Sequence, residues 1–187
     1  MNAIDLNVID LINGDLKNYN SIQKRYLSDL KDYFANKQEV DRILKTDNPL
    51  VYTVYEMNFD QPGSLSYAIT VLEPGKVGDE YYFTKGHFHQ KSTAEIYIVF
   101  KGNGILLLEN RSGNTKSFNM FRGAIINVEP DYAHRSINTG DDKLIFLAIY
   151  ASDAGHEYEY VKERGFSFLV LDKDGPKLVG RNLLNNK

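Results

Sequence analysis

The chain is 187 residues long with a formal net charge of −3 and a pI near 5.8, and its lysines and acids are interspersed without a basic block, which speaks against a nucleic-acid partner. Hydrophobic residues make up 42%, yet no apolar run approaches the roughly 18 residues of a membrane span, so a water-soluble chain with no membrane partner is expected. Cysteine is absent, and the opening MNAIDLNVIDLINGDL has acids where a secretory leader needs basic residues, so the expected location is cytoplasmic.

Residues 21–45, SIQKRYLSDLKDYFANKQEVDRILK, are the one segment that reads as helical. Ser21 is placed to cap the N-terminus, and Tyr26, Leu27, Leu30 and Phe34 recur at helical spacing. From Val51 onward, short runs rich in Val, Ile, Thr, Tyr and Phe alternate with turn signals: PGS at 62–64, PGK at 74–76, KGNG at 101–104, RSGN at 111–114, TGDD at 139–142 and KDGP at 173–176. Strands are predicted at 51–58, 66–73, 80–84, 86–89, 94–100, 104–109, 115–119, 124–128, 133–138, 143–150, 166–171 and 177–180. Strands at this spacing without intervening helices imply an all-β antiparallel sandwich or barrel. One domain over 1–187 is expected, because this length supports one sizeable core and is short for two: 1–50 is an N-terminal extension with helices, and 51–180 the β-barrel.

Within the strand region, GHFHQKSTAEIY, Gly86 to Tyr97, brings His87, His89 and Glu95 close together in a chain with four histidines. On a strand, residues i and i+2 share a face, so His87 and His89 point one way and Phe88 the other. In AEIYIVF, Glu95, Tyr97 and Val99 share a face, and a hairpin between the two runs would bring Glu95 beside the histidine pair. VEPDYAHRSIN makes His134 available as a third nitrogen, with Arg135 facing away as a structural ion-pair partner. Three neutral imidazoles and one carboxylate suit Fe(II), Mn(II), Zn(II) or a similar divalent ion and leave coordination positions open for a ligand. A lone HxH pair is commonly a surface or structurally bonded pair; the joint pattern across two segments is the more specific signal.

GHFHQKSTAEIYIVFKGNG and GAIINVEPDYAHRSIN, with its Gly, Pro, His and Asn138, resemble the two motifs of the cupin superfamily. The context in VYTVYEMN, YAITVLEPGKVGDEYYFTKGHFH, AEIYIVFKGNG, YAHRSINTGDDKLIFLAIYASDAGHEY and GFSFLVLD resembles one branch, the cupin-type phosphoglucose isomerases, from about Pro49 to Asp172. The resemblance implies a double-stranded β-barrel of jelly-roll type, homodimeric, with one divalent ion per subunit: Fe(II) first, with Mn(II), Zn(II) or Ni(II) as alternatives. It implies His87, His89, Glu95 and His134 as metal ligands. Tyr52, Thr70, Thr84, Gly86, Tyr97, His156 and Tyr158 would form a sugar-phosphate pocket, with Thr84 to Gly86 as the main phosphate contacts. Two departures are visible: QKSTA between His89 and Glu95 is one residue short, and Asp131 stands where an aromatic is common.

The implied reaction interconverts glucose 6-phosphate and fructose 6-phosphate through an enediolate, whose charge a Lewis acid stabilises. Glu95 is the carboxylate placed inside the barrel as base, with Tyr97 as its proton-relaying or orienting neighbour; a hydride shift would need no base. Lys85 is expected to point to solvent. Two alternatives remain at this point: another metal cupin such as a dioxygenase, and a non-catalytic sugar-binding cupin.

Overall fold

The computed structural model describes residues 6–59, 61 and 63–183. Met1 to Asp5, part of the leader reading, and Pro62 of the PGS turn lie outside the described residues.

The predicted helix begins later than its spacing suggests. Residues 21–26 form strand β1 (Ser21–Tyr26), with side chains alternately half-buried and exposed. Ser21 to Arg25 pair antiparallel with Glu56 to Tyr52, so a full main-chain ladder against a sheet edge outweighs the weak helical pattern, and Ser21 caps nothing. Helix starts at α1 (Leu27–Leu30), where Asp29 Oδ2 accepts the Tyr26 N–H at 2.8 Å, and resumes at α2 (Lys37–Leu44), where Asn36 Oδ1 accepts the Glu39 N–H at 3.0 Å. Leu27, Leu30 and Phe34 are fully buried, and the Phe34 ring lies 4.4 Å from that of Phe83. Each such apolar side chain contributes about 1.5–3 kcal/mol by leaving water.

The remaining strands follow the predicted order: β2 (Leu50–Met57), β3 (Leu65–Leu72), β4 (Lys76–Val77), β5 (Glu80–Tyr81), β6 (Phe88–His89), β7 (Glu95–Lys101) and β8 (Asn103–Asn110). After these come β9 (Thr115–Phe121), β10 (Ile125–Val128), β11 (Tyr132–Asn138), β12 (Leu144–Ala151), β13 (His156–Glu157), β14 (Phe168–Asp172) and β15 (Pro176–Gly180). Four short elements escaped prediction: β4, β13, the helix α3 (Glu159–Arg164) and a 3-10 turn at Arg181–Leu183. Two-residue strands carry no readable period.

One layer is a six-stranded sheet in the order β1-β2-β3-β12-β7-β10; β11-β8-β9, β13-β6 and β15-β14-β5-β4 form smaller sheets. Isolated bridges Phe83↔Ile137 and His87↔His134 run the segment between β5 and β6 antiparallel along β11. This is the all-β jelly-roll architecture expected, although no ladder among the described residues joins the six-stranded sheet to the others. Alternation along β3, β7 and β12 sends Ala68, Leu72, Tyr97, Val99, Leu144, Phe146 and Ala148 into the main core. The opposite face sends Ile69, Val71 and Ile145 against Leu16 of the N-terminal segment. At Gly102, φ is +84° and an added Cβ would lie 2.4 Å from the Lys143 carbonyl oxygen, so only glycine fits between β7 and β8. No helix among the described residues is long and apolar enough to cross a membrane.

Asn138 ends β11 with no exposed surface, and its amide ties the end of β3 to the loop between β11 and β12. Its Nδ2 donates to the Leu72 and Asp142 carbonyls, each at 2.9 Å, and its Oδ1 accepts the Gly140 N–H at 3.0 Å. Replacing it would strand the buried Leu72 carbonyl and free the loop groups it holds. We expect Asn138→Ala to lower unfolding free energy by about 2–4 kcal/mol in urea titrations while leaving the far-ultraviolet circular dichroism unchanged.

Candidate active site

The segment Tyr82–His87 carries the first histidine to the second motif. The Thr84 N–H donates to Ser136 O at 2.9 Å and the His134 N–H to His87 O at 3.1 Å, so His87 and His134 sit opposite one another. Glu95 arrives from the facing six-stranded sheet, because β6 pairs with β13 and β7 with β12 and β10. The hairpin expected between the two runs is therefore absent: residues 90–94 cross from one layer to the other. That short crossing is tied down by the Lys91 N–H on Ala154 O, the Lys91–Asp153 ion pair, and Ser92 Oγ donating to Asp131 Oδ2 at 3.0 Å. Asp131 itself has φ +65°, a conformation that asparagine and aspartate tolerate better than an aromatic does.

The ligand atoms of His87, His89, Glu95 and His134 all lie within 4.8 Å of one another. His89 Nδ1 faces Thr93 O at 2.9 Å and His134 Nδ1 faces Tyr132 O at 3.3 Å, contacts that place a proton on each Nδ1 and leave each Nε2 a lone pair. Those lone pairs confront Glu95 Oε2 at 3.2 Å and 3.0 Å. The Nε2 atoms of His87 and His134 are buried without any hydrogen-bond partner, the His134 contact with Glu95 being close but misaligned. Three lone pairs and a carboxylate oxygen converging on one point repel one another unless a cation sits among them, so this donor set fits a divalent metal ion.

Titration behaviour has the same origin. Burial, then the neighbouring His134, His156 and His89, holds the His87 imidazole well below its ordinary range. Burial opposes charge on His89 too, but the Glu95 carboxylate outweighs it and raises that imidazole. Glu95 is penalised by burial, yet His134 and His89 together bring its carboxyl down to about 2. Burial first, and the Glu95 charge second, push the Tyr97 phenol well above its usual value, so it remains a neutral donor.

A cavity of about 460 Å³ opens beside the cluster. Tyr52, Thr70, Thr84, Gly86, Tyr97, His156 and Tyr158 all line it, along with His87, Glu95 and His134. His156 stands in β13 opposite His89, and its ring is 4.4 Å from that of His87; burial lowers its pKa. Tyr97 stacks on Phe146 at 4.9 Å and meets His134 edge-on at 5.9 Å. Burial raises the Tyr52 phenol to about 12, and burial followed by Glu56 raises that of Tyr158.

The turn at Thr84–Gly86 presents donors to this cavity. Thr84 Oγ1 accepts the Ser136 N–H at 3.1 Å, which frees its own hydroxyl proton for a ligand, and the Gly86 N–H has no acceptor among the described residues. Gly86 has φ +76°, and a Cβ there would lie 3.0 Å from His134 O, so glycine alone permits the approach.

Two expectations about charges need correcting. Lys85 is half-buried over the Tyr33 ring and lines the cavity instead of pointing to solvent, because α1 and the loop after it cover that side. Arg135 does face away from the metal ligands, but it forms no ion pair among the described residues. Its guanidinium lies between the rings of Phe83 and Phe166, 4.2 Å and 4.6 Å from their centroids, and Nη2 donates to Lys85 O at 2.7 Å. Burial brings its pKa down to about 10 against the pull of Glu80. It braces the turn from behind.

Sequence reasoning missed Gln23, Arg25, Glu56, Tyr150 and Lys162 on the cavity wall. Gln23 and Arg25 were hidden by the helical reading of residues 21–26. For Glu56, alternation with Tyr52 and Val54 along β2 was the available signal.

A sequence profile of the family "Glucose-6-phosphate isomerase (GPI)" matches residues 24–186. The chain is 47% identical to the glucose-6-phosphate isomerase of Thermococcus onnurineus, over 93% of this chain and 92% of that one. It is 43% identical to that of Pyrococcus abyssi, over 93% of both. A putative glucose-6-phosphate isomerase 1 of Rhizobium meliloti is 33% identical over 89% of this chain and 79% of its own. Among solved structures, an oxalate oxidase superposes with TM-score 0.50 at 17% identity, covering 59% of this chain and 56% of that one, a likeness of fold.

The convergent lone pairs predict stoichiometric uptake of one divalent ion per chain, read by elemental analysis after dialysis. His134→Ala should weaken that affinity about 100-fold or more. Affinity should also fall as pH is lowered from 8 to 5, because the three imidazoles must be unprotonated to bind.

Proposed function

This chain belongs to the cupin-type glucose-6-phosphate isomerase family and is a metal-dependent aldose-ketose isomerase of glucose 6-phosphate and fructose 6-phosphate, and from that premise we propose how its residues divide the work. The observation that carries the assignment of the site is the convergence of three imidazole nitrogens and one carboxylate beside a cavity with a donor-rich turn.

A divalent ion held by His87, His89, Glu95 and His134, Fe(II) being our first choice over Mn(II), Zn(II) or Ni(II), would supply Lewis-acid polarisation of the sugar oxygens at C1 and C2. Glu95 turns Oε2 toward the imidazoles, so Oε1 is the atom we assign to take the proton from C2 and return it to C1. Tyr97, kept neutral by burial, donates its hydroxyl proton to the sugar oxygen that gains charge. The phosphate docks on the Thr84 hydroxyl and Gly86 N–H, and Tyr52, Thr70, His156 and Tyr158 complete the wall. Arg25, Lys85 and Lys162, which line the cavity together with the acids Asp29, Asp32 and Glu159, supply positive charge. We further propose that residues 1–187 act as one domain, that two copies pair as a homodimer, and that the enzyme works in the cytoplasm on a free sugar phosphate.

Chelator-stripped protein should turn over no fructose 6-phosphate in an assay coupled to glucose-6-phosphate oxidation. It should recover with Fe(II), Mn(II), Zn(II) or Ni(II), and His89→Ala should abolish the recovery. In deuterium oxide the product should carry solvent label at the transferred position; complete retention of protium would replace the Glu95 proton transfer with a hydride shift. Thr84→Val should raise KM about 10-fold with a smaller effect on kcat.

A further inference from the structure

Glu56 is a buried carboxylate in the cavity, apart from the exposed Asp29, Asp32 and Glu159, that neither the metal ligands nor the phosphate turn employs. Only 9% of its surface is exposed, and it lines the same cavity as Glu95. Gln23 Nε2 donates to Glu56 Oε2 at 3.1 Å, while Gln23 Oε1 accepts from Arg25 Nη2 at 2.5 Å. This chain fixes the amide with its oxygen toward the guanidinium and its NH₂ toward the carboxylate. Glu56 forms no ion pair with a lysine or arginine among the described residues, and Gln23 is a neutral partner. An enclosed carboxylate without a direct countercharge costs folding free energy, so stability is a poor reason for its presence.

Its position along the sheet is informative. Glu56 pairs in register with Ala68, Ala68 with Ala148, and Ala148 with Tyr97, so Glu56 and Tyr97 face the cavity at one level with only methyl groups between them. Glu95 lies two residues beyond that level, paired with Tyr150. Tyr52, at the phosphate-turn end, lies four residues the other way, about 13 Å along the strand. Glu56 also sits beside Tyr150, whose phenol is raised by burial first and by the Glu56 charge second. A sugar phosphate with its phosphate at Thr84–Gly86 and its reacting carbons at the metal cluster therefore passes Glu56 with its middle carbons.

Building on the isomerase reading, we propose that Glu56 accepts a hydrogen bond from the C3 or C4 hydroxyl of the bound sugar and thereby sets both its register and its direction. A carboxylate is an acceptor only; Gln23 takes Oε2 and the Tyr150 phenol lies within reach, which leaves lone pairs of the two oxygens for a ligand hydroxyl. The negative charge of Glu56 also repels a dianionic phosphate, so a substrate entering phosphate-first toward the metal is disfavoured, while the Thr84–Gly86 turn offers that phosphate its donors. In a Glu56→Gln variant, Gln23 Nε2 would hold the new amide oxygen, and a donor would face the sugar where an acceptor stood.

The test uses full-length, metal-loaded wild type, Glu56→Gln and Glu56→Leu with glucose 6-phosphate and its 3-deoxy and 4-deoxy analogues, followed by NMR. We expect the variants to bind metal normally and melt no lower than wild type, yet lose about 10-fold or more in kcat/KM with the parent sugar. One deoxy analogue should suffer a comparable loss with wild type and little further loss with either variant. Retention of parent kcat/KM within about two-fold, or equal losses from substitution with all three sugars, would overturn the Glu56 assignment and leave the isomerase intact. A metal-loaded wild type inactive on all three sugars would instead overturn the isomerase reading and this proposal together.

Discussion

Everything at this site depends on one electrostatic constraint: the lone pairs of His89 and His134 meet Glu95 Oε2 at 3.2 Å and 3.0 Å, with the Glu95 and His134 side chains buried. Left to themselves these acceptors repel, and the His87 Nε2 beside them has no partner at all. A cation resolves the conflict for all four side chains. The Nδ1 contacts to Thr93 and Tyr132 commit two rings to the tautomer that keeps Nε2 free for it. The fold pays for this arrangement elsewhere, through apolar burial between the layers and polar ties such as Asn138.

The cavity next to that constraint carries charge of both signs. Arg25, Lys85 and Lys162 line it together with the exposed acids Asp29, Asp32 and Glu159, the last paired with Lys162 at 4.0 Å, whereas Glu95 and Glu56 stand on the six-stranded sheet. Placement of a phosphate therefore rests on the directed donors of the Thr84–Gly86 turn more than on net charge. Arg135 supports that turn from outside the cavity: held between two phenylalanine rings, it uses one N–H to hold the Lys85 carbonyl and so sets the backbone next to Gly86.

The legibility of these parts in the sequence varied with their physical range. HxH followed by Glu and a distant His was readable because metal ligation demands particular side chains and strand alternation aims them. The long strands were readable for the same periodic reason, with ends shifted by a residue or two. Residues 21–26 were misread because their pattern is compatible with a helix in isolation, and only the free edge of β2 makes extended backbone the better solution. Lys85 was misjudged because local alternation says nothing about Tyr33 or the segment that covers it.

The sequence by itself determined the donor chemistry, the all-β class and the family, since these rest on residue types and on periods of a few residues. Tertiary structure alone decided that Glu95 reaches the histidines across two facing layers instead of along a hairpin. It also decided that Gln23, Arg25 and Glu56 share a wall with Tyr97, and that Asn138 holds the Leu72 carbonyl at the end of β3. Each of these is a contact between segments 30 or more residues apart or between separate sheets, and such contacts are set by which surfaces can be buried together, a property no local pattern encodes.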